Sequence, residues 1–208
     1  MKLWKVVLGL CLCLALFAAF VLPMEVEAAG TLTVYLDPAA GNDSADGLTE
    51  ATAVKTYETA YGKVKADGGT IVLLSNLSIT TDVRLPKSPG TKMVTLTSKD
   101  GSQGISGTTD IRFNANTTLE NLTVTLSKNS SSCTIYGEGK KLIIGENVNS
   151  VGYGDYYFSL SGGKRWASCD STDLTVKSGT WRNIYVGTYG YKSTYNITGN
   201  AKLTMTGG

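Results

Sequence analysis

The hydropathy pattern of the chain changes character twice. An unbroken apolar run, Val6 to Leu22, comes first. From Thr31 onward, short segments alternate apolar and polar residues, the period of a half-buried strand. Thr31-Leu32-Thr33-Val34-Tyr35-Leu36 is the first, with Leu32, Val34 and Leu36 on one face. Asp37-Pro38 ends it, because proline has no N–H to give a ladder. Gly41 to Gly47 is dense in residues that form Asx turns or accept positive φ. One segment has helical period instead: Val54, Tyr57, Tyr61 and Val64 fall at steps of three and four. This predicts a helix over about 54–66, N-capped by Thr56 and stopped at Asp67-Gly68-Gly69. The apolar run Thr70 to Leu74 reads as a buried strand. No second helical pattern follows. Strands are predicted at 71–75, 82–86, 93–98, 110–114, 118–126, 133–137, 141–144, 157–160, 173–177, 183–187, 194–198 and 202–206.

Internal repetition organises these strands. Thr80-Thr81-Asp82-Val83-Arg84-Leu85 recurs as Thr108-Thr109-Asp110-Ile111-Arg112-Phe113. Leu174-Thr175-Val176 recurs as Leu203-Thr204-Met205, and Val94-Thr95-Leu96 as Val124-Thr125-Leu126. The three offsets are nearly equal. A near-constant period of this kind marks a repeat architecture, in which one repeat buries its apolar face only by stacking on the next. A β-sandwich accounts for the strands but predicts neither the repeats nor the helix.

The order Val34-Tyr35-Leu36-Asp37-Pro38, Gly41-Asn42-Asp43, Asp46-Gly47, Lys55-Thr56, a short helix, then Gly69-Thr70-Ile71-Val72-Leu73 resembles the N-terminal segment of secreted right-handed parallel β-helix proteins of the pectate-lyase-like superfamily. That resemblance covers about a quarter of the chain. It implies a helix capping one end of the solenoid. It carries little about function, since lyases, glycosidases, tailspikes and non-enzymatic surface proteins share the fold. The stretch Ser178-Gly179-Thr180-Trp181 through Asn183-Ile184-Tyr185-Val186-Gly187 is similar to repeats of large Gram-positive surface and adhesin-like proteins.

Residues 1–28 read as a secretory signal peptide: Lys2 and Lys5 form the charged start, Val6 to Leu22 the apolar core, and Val26-Glu27-Ala28 the small-residue cleavage site. Pro23 and that site favour cleavage over a retained anchor, so the mature form has no membrane segment. Residues 29–208 then suit one domain. A formal charge of +2 gives no basic footprint for nucleic acid. Export permits a disulfide between Cys133 and Cys169, but two buried thiols satisfy the sequence equally well. The motif ending at Gly208 completes a repeat and supplies no cap, so the chain is expected to be the N-terminal fragment of a longer protein, monomeric within it.

Candidate chemistry is sparse. The absence of histidine excludes Ser-His-Asp and Cys-His catalysis and any His-containing zinc site. Asp37, Asp43 and Asp46, with Asn42, offer hard oxygen ligands for calcium, the one candidate cofactor; their spacing is not that of an EF-hand, and the same residues suit Asx turns. Asp82 with Arg84, and Asp110 with Arg112, point outward if Val83, Leu85, Ile111 and Phe113 point inward, and stacking sets the carboxylates one strand spacing apart. They read either as catalytic groups of a lyase or as a surface Asp–Arg ladder, with the ladder preferred. Trp181, Tyr185, Tyr189 and Tyr191 belong to an aromatic-rich stretch and are the candidate contact patch for a glycan or protein; alternation predicts Tyr185, Tyr189 and Tyr191 exposed and leaves Trp181, at the start of its strand, open to either side.

The sequence thus predicts an all-β, right-handed parallel β-helix with an N-terminal capping helix. Its expected role is a structural and adhesive module of a secreted bacterial protein of the cell wall, whose partners are polysaccharides or surface proteins. The alternative is a polysaccharide lyase or glycoside hydrolase whose active site lies mostly past residue 208.

Overall fold

A computed structural model describes residues 31–127, 133–189 and 195–207. The signal peptide expected at 1–28 lies outside the described residues, as does Tyr191.

The fold is a parallel β-solenoid with three sheets. The first has seven strands in stacking order: Leu32–Leu36, Gly69–Leu73, Val94–Ser98, Thr117–Leu119, Lys141–Ile144, Thr172–Val176 and Ala201–Met205. The second has four: Leu77–Ile79, Gly104–Gly107, Leu122–Leu126 and Val148–Val151. The third has five: Val83–Leu85, Ile111–Phe113, Thr134–Tyr136, Ser159–Ser161 and Ile184–Tyr185. Every pairing between these strands is parallel and in register. The alternation seen in the sequence therefore becomes columns of like residues. Val34, Ile71, Leu96, Leu119, Ile144, Val176 and Met205 form one inward column of the first sheet. All but Met205 are fully buried, each side chain worth about 1.5–3 kcal/mol relative to exposure. Polar residues that enter such columns are satisfied locally: the buried Thr117 hydroxyl donates to the Ala115 carbonyl at 2.9 Å.

The helix spans Tyr57–Val64, shorter at both ends than the pattern alone suggests. It lies against the first two strands of the first sheet and buries Tyr57, Ala60, Tyr61 and Val64. Val54, expected on the same helical face, instead bridges Leu36 and extends the first rung. The outer edge of the first strand is met by the 37–54 loop: Tyr35 N donates to Gly47 O at 2.8 Å, and Val54 N to Tyr35 O at 3.0 Å. Thr56 is the N-cap, its hydroxyl accepting from Thr59 N at 3.3 Å. Replacing Thr56 with alanine is expected to cost about 1 kcal/mol in urea unfolding, the usual worth of such a cap.

Repeat lengths vary more than the sequence motifs imply. Val83 pairs with Ile111, and Leu174 with Leu203, as two of the repeats require. The third apparent repeat is coincidental. Val94–Ser98 stacks on Thr117–Leu119, with Thr95 opposite Thr118, whereas Leu122–Leu126 belongs to the second sheet. The strand expected over 118–126 is in fact two, separated at Asn121, which adopts a left-handed φ of 46°. There Asn121 N donates to Glu146 O at 3.0 Å and its side-chain amide to Ser98 O at 3.0 Å, so an asparagine turns the corner between two sheets. Three short strands of the second sheet, Leu77–Ile79, Gly104–Gly107 and Val148–Val151, carry too little alternation to be read from sequence. Among the described residues, no helix is long and apolar enough to cross a membrane.

Candidate functional site

The third sheet positions the charged residues. Its inward column is Val83, Ile111, Ile135, Leu160 and Ile184. The next residue of each strand points outward, giving the column Arg84, Arg112, Tyr136, Ser161 and Tyr185. Asp82 and Asp110 precede the first two strands and so sit on adjacent turns, as the repeat predicts.

The pairing is not the simple surface ladder expected. A tight hairpin, Lys164 bridging Ala167, brings Arg165 over this face. Arg165 Nε donates to Asp110 Oδ2 at 2.9 Å, and its Nη1 bonds Asp82 Oδ2. Arg112 Nη2 reaches Asp82 Oδ1 at 3.0 Å. Arg84, rather than pairing with Asp82, places its Nε 3.4 Å from Glu138 Oε2. Glu138 Oε1 accepts from Arg165 N at 3.4 Å. Arg84, Arg112 and Arg165 thus answer Asp82, Asp110 and Glu138 across successive turns.

Covering by Arg165 leaves Asp110 only 8% exposed, whereas alternation alone would leave it at the surface. Thr134 N donates to its Oδ1 at 2.9 Å. Burial pushes the Asp110 carboxyl above its ordinary value and the neighbouring Asp82 adds to this; the Thr134 N–H, Arg165 and Arg112 oppose it. Tyr136, on the outward column, is also fully buried. Burial raises its hydroxyl, Asp110 adds to the rise, and Thr134 and Arg165 act against it.

Aromatic rings continue the face. Tyr185 and Tyr189 stack with centroids 4.5 Å apart. Both are half-buried rather than freely exposed. Arg165 bridges Tyr189, and Trp166 N donates to Tyr189 O at 3.4 Å. Trp166 is 48% exposed, with the Arg165 guanidinium 4.0 Å above its ring. Trp181, by contrast, packs against the core and donates its indole N–H to Ser178 O at 2.9 Å.

The acidic loop near the cap is built from turns. Asp37 Oδ1 accepts from Ala39 N, Ala40 N and the Ser75 hydroxyl, the last at 2.5 Å. Asp43 Oδ1 accepts from Lys55 N and Thr56 N at 2.9 and 2.8 Å, tying the loop to the helix start. Asp46 Oδ1 accepts from Leu48 N at 3.0 Å. Among the described residues, no group of three or more Cys, Asp or Glu side chains is placed to hold a metal ion. Cys133 and Cys169 are buried thiols, not a disulfide. Cys169 lines a cavity of about 310 Å³ with Glu138, Lys140, Lys164 and Asp170, and burial pushes its thiol up.

The sequence pairs Asp with Arg within each strand and misses Arg165, Glu138 and Tyr136; Trp166 falls in the aromatic-rich stretch without being singled out. Arg165 and Glu138 lie in glycine-bounded turns, Gly162-Gly163-Lys164-Arg165 and Gly137-Glu138-Gly139, with no period to announce them. Only the register of the third sheet would have put Tyr136 on the same column as Arg112. Comparison with protein-family models, curated proteins and solved structures finds no match to this chain.

Proposed function

We propose that the solenoid is a structural and adhesive module of a secreted bacterial cell-surface protein, contacting glycans through the face formed by Trp166, Tyr185 and Tyr189. The observation that carries this reading is the stacked Tyr185–Tyr189 pair beside the exposed, arginine-covered Trp166, on two adjacent turns of the solenoid. Aromatic rings present flat apolar surface with polar edges, which fits the C–H face and hydroxyls of a sugar. Weak affinity at one such face is multiplied when many repeats engage a polymer.

The test is retention on immobilised bacterial wall polysaccharide. The protein is expected to be retained, and the Tyr185→Ala/Tyr189→Ala variant to bind at least tenfold more weakly; equal retention would remove the aromatic face from the reading. The pairing of the carboxylates supports a non-catalytic role. Asp82 is paired with Arg112 and Arg165, and Asp110 with Arg165, so both carboxylates are engaged by guanidinium groups rather than by each other. Incubation with acidic polysaccharides and calcium is expected to give no unsaturated product by ultraviolet absorbance, and Asp110→Ala is expected to change nothing in that assay.

A further inference from the structure

A second concavity lies at the other end of the solenoid, between the capping helix and the loop that follows Val83–Leu85. It is a cleft of about 490 Å³, within the range of small-molecule sites. One wall carries Glu58, Tyr61 and Lys65 of the helix side, the other Pro86, Ser88 and Pro89. Gly62, Ala66 and Gly90 line it as well. A Cβ on Gly62 would meet no atom within 4 Å, whereas one on Gly90 would fall 1.8 Å from the Tyr61 hydroxyl. Tyr61 and the loop are therefore in close contact at the base, and the cleft opens above them.

Both walls are preformed. Tyr61 stacks on Tyr57 behind it, with ring planes 14° apart. The loop is fastened to the next turn: Gly90 N donates to Asn114 O at 2.9 Å, and the Asn114 side-chain amide to Lys87 O at 3.2 Å. It is fastened to the helix as well, since Lys87 N donates to Glu58 Oε1 at 2.8 Å. That bond fixes the Glu58 carboxylate at the rim. A rigid cleft loses little entropy on binding.

The lining chooses among ligand classes. Pro89 supplies exposed apolar surface at the mouth, over a base formed by the buried Tyr61 and Pro86. Glu58, Lys65, Ser88 and Thr91 supply an acceptor, a donor and two hydroxyls. A polyanion would meet the Glu58 carboxylate with one lysine to answer it, and an acyl chain would leave both charges facing hydrocarbon. A neutral sugar ring has an apolar C–H face, and its hydroxyls give to a carboxylate and take from an ammonium. We propose that this cleft is a binding site for a neutral oligosaccharide, one or two rings deep, separate from the aromatic face on the third sheet.

The test follows the Gly62, Gly90 and Thr91 amide resonances of the purified protein during titration with cellotetraose, maltotetraose, xylotetraose and chitotetraose. At least one is expected to shift all three saturably. Gly62→Trp, whose Cβ would meet no atom within 4 Å, places an indole at the cleft and is expected to abolish the shifts. Glu58→Gln is expected to weaken binding about tenfold, the worth of one charge-assisted hydrogen bond. It serves as the independent check should the tryptophan variant misfold. Tyr185→Ala/Tyr189→Ala is expected to leave the cleft shifts unchanged, which separates this site from the face proposed above. Absence of shifts with all four sugars would overturn the proposal. So would identical shifts in Gly62→Trp, or shifts produced only by inorganic phosphate or by a proline-rich peptide.

Discussion

Replacing Gly104 with alanine is expected to destabilise the solenoid by about 3 kcal/mol or more, at the severe end for a single substitution. Gly104 opens a strand of the second sheet and lies in register with Thr123 of the next turn. A Cβ there would stand 1.8 Å from the Thr123 carbonyl oxygen and 2.7 Å from its carbonyl carbon and nitrogen. Those are backbone atoms, so no rotamer change relieves the overlap; the two turns must separate or slide. Separation breaks Thr123 N to Gln103 O and Gly104 N to Asn76 Oδ1, bonds of 3.1 and 2.9 Å that stitch three successive turns. Urea unfolding followed by circular dichroism checks this, with Gly62→Ala as the control. Gly62 sits in the helix with open space around its Cα, so alanine there should stabilise by about 0.5–1 kcal/mol. A Gly104→Ala protein as stable as the parent would mean the stacking of these turns is looser than described.

The second large effect is expected at Arg165. Arg165→Met keeps much of the side-chain volume and removes the cation shared by Asp82 and Asp110. Breaking a fully buried pair costs about 3–5 kcal/mol. The Asp82 end here is partly open to water, so about 2 kcal/mol at neutral pH is the expected loss. The pH dependence identifies the cause. Burial already raises the Asp110 carboxyl from its ordinary 3.8, with Asp82 adding and Thr134, Arg165 and Arg112 opposing. A carboxyl raised on folding contributes stability that is fully present below 3.8 and lost as pH rises through its folded value. Removing Arg165 raises it further, so the deficit of the variant should shrink as pH falls toward 3.8. Asp37 has the opposite sign. The Ser75 hydroxyl, then the Ala40 and Ala39 N–H groups, hold it low against the cost of burial. Its contribution is present above 3.8 and lost as pH falls below, in parent and variant alike. Arg165→Met/Asp110→Asn should regain part of the neutral-pH loss, since no buried charge is then left unanswered. A deficit independent of pH would point to lost packing of the Arg165 side chain rather than to the charge of Asp110.

The class of fold was legible in the chain because its causes are local and periodic. Alternation over five or six residues decides which side of a strand is buried, and Val34, Ile71 and Leu96 follow that rule from sequence to column. The capping helix was legible because Tyr57, Tyr61 and Val64 carry a helical period and Thr56 a cap, both properties of adjacent residues. The stacking of Asp82 under Asp110 followed from one true repeat. Where repetition misled, at Val94 and Val124, the reason was that a solenoid turn bears three strands of similar composition, and a β-rich motif does not say which sheet it joins. The candidate face was decided only in three dimensions. Arg165 meets Asp82 from 83 residues away, on a hairpin without hydropathy period, and its arrival turns an outward Asp110 into a buried one. Burial there is set by what lies above the sheet, and alternation speaks only for what lies beneath it. The same holds for the cleft beside the helix, whose walls are joined by Glu58 and Lys87, 29 residues apart.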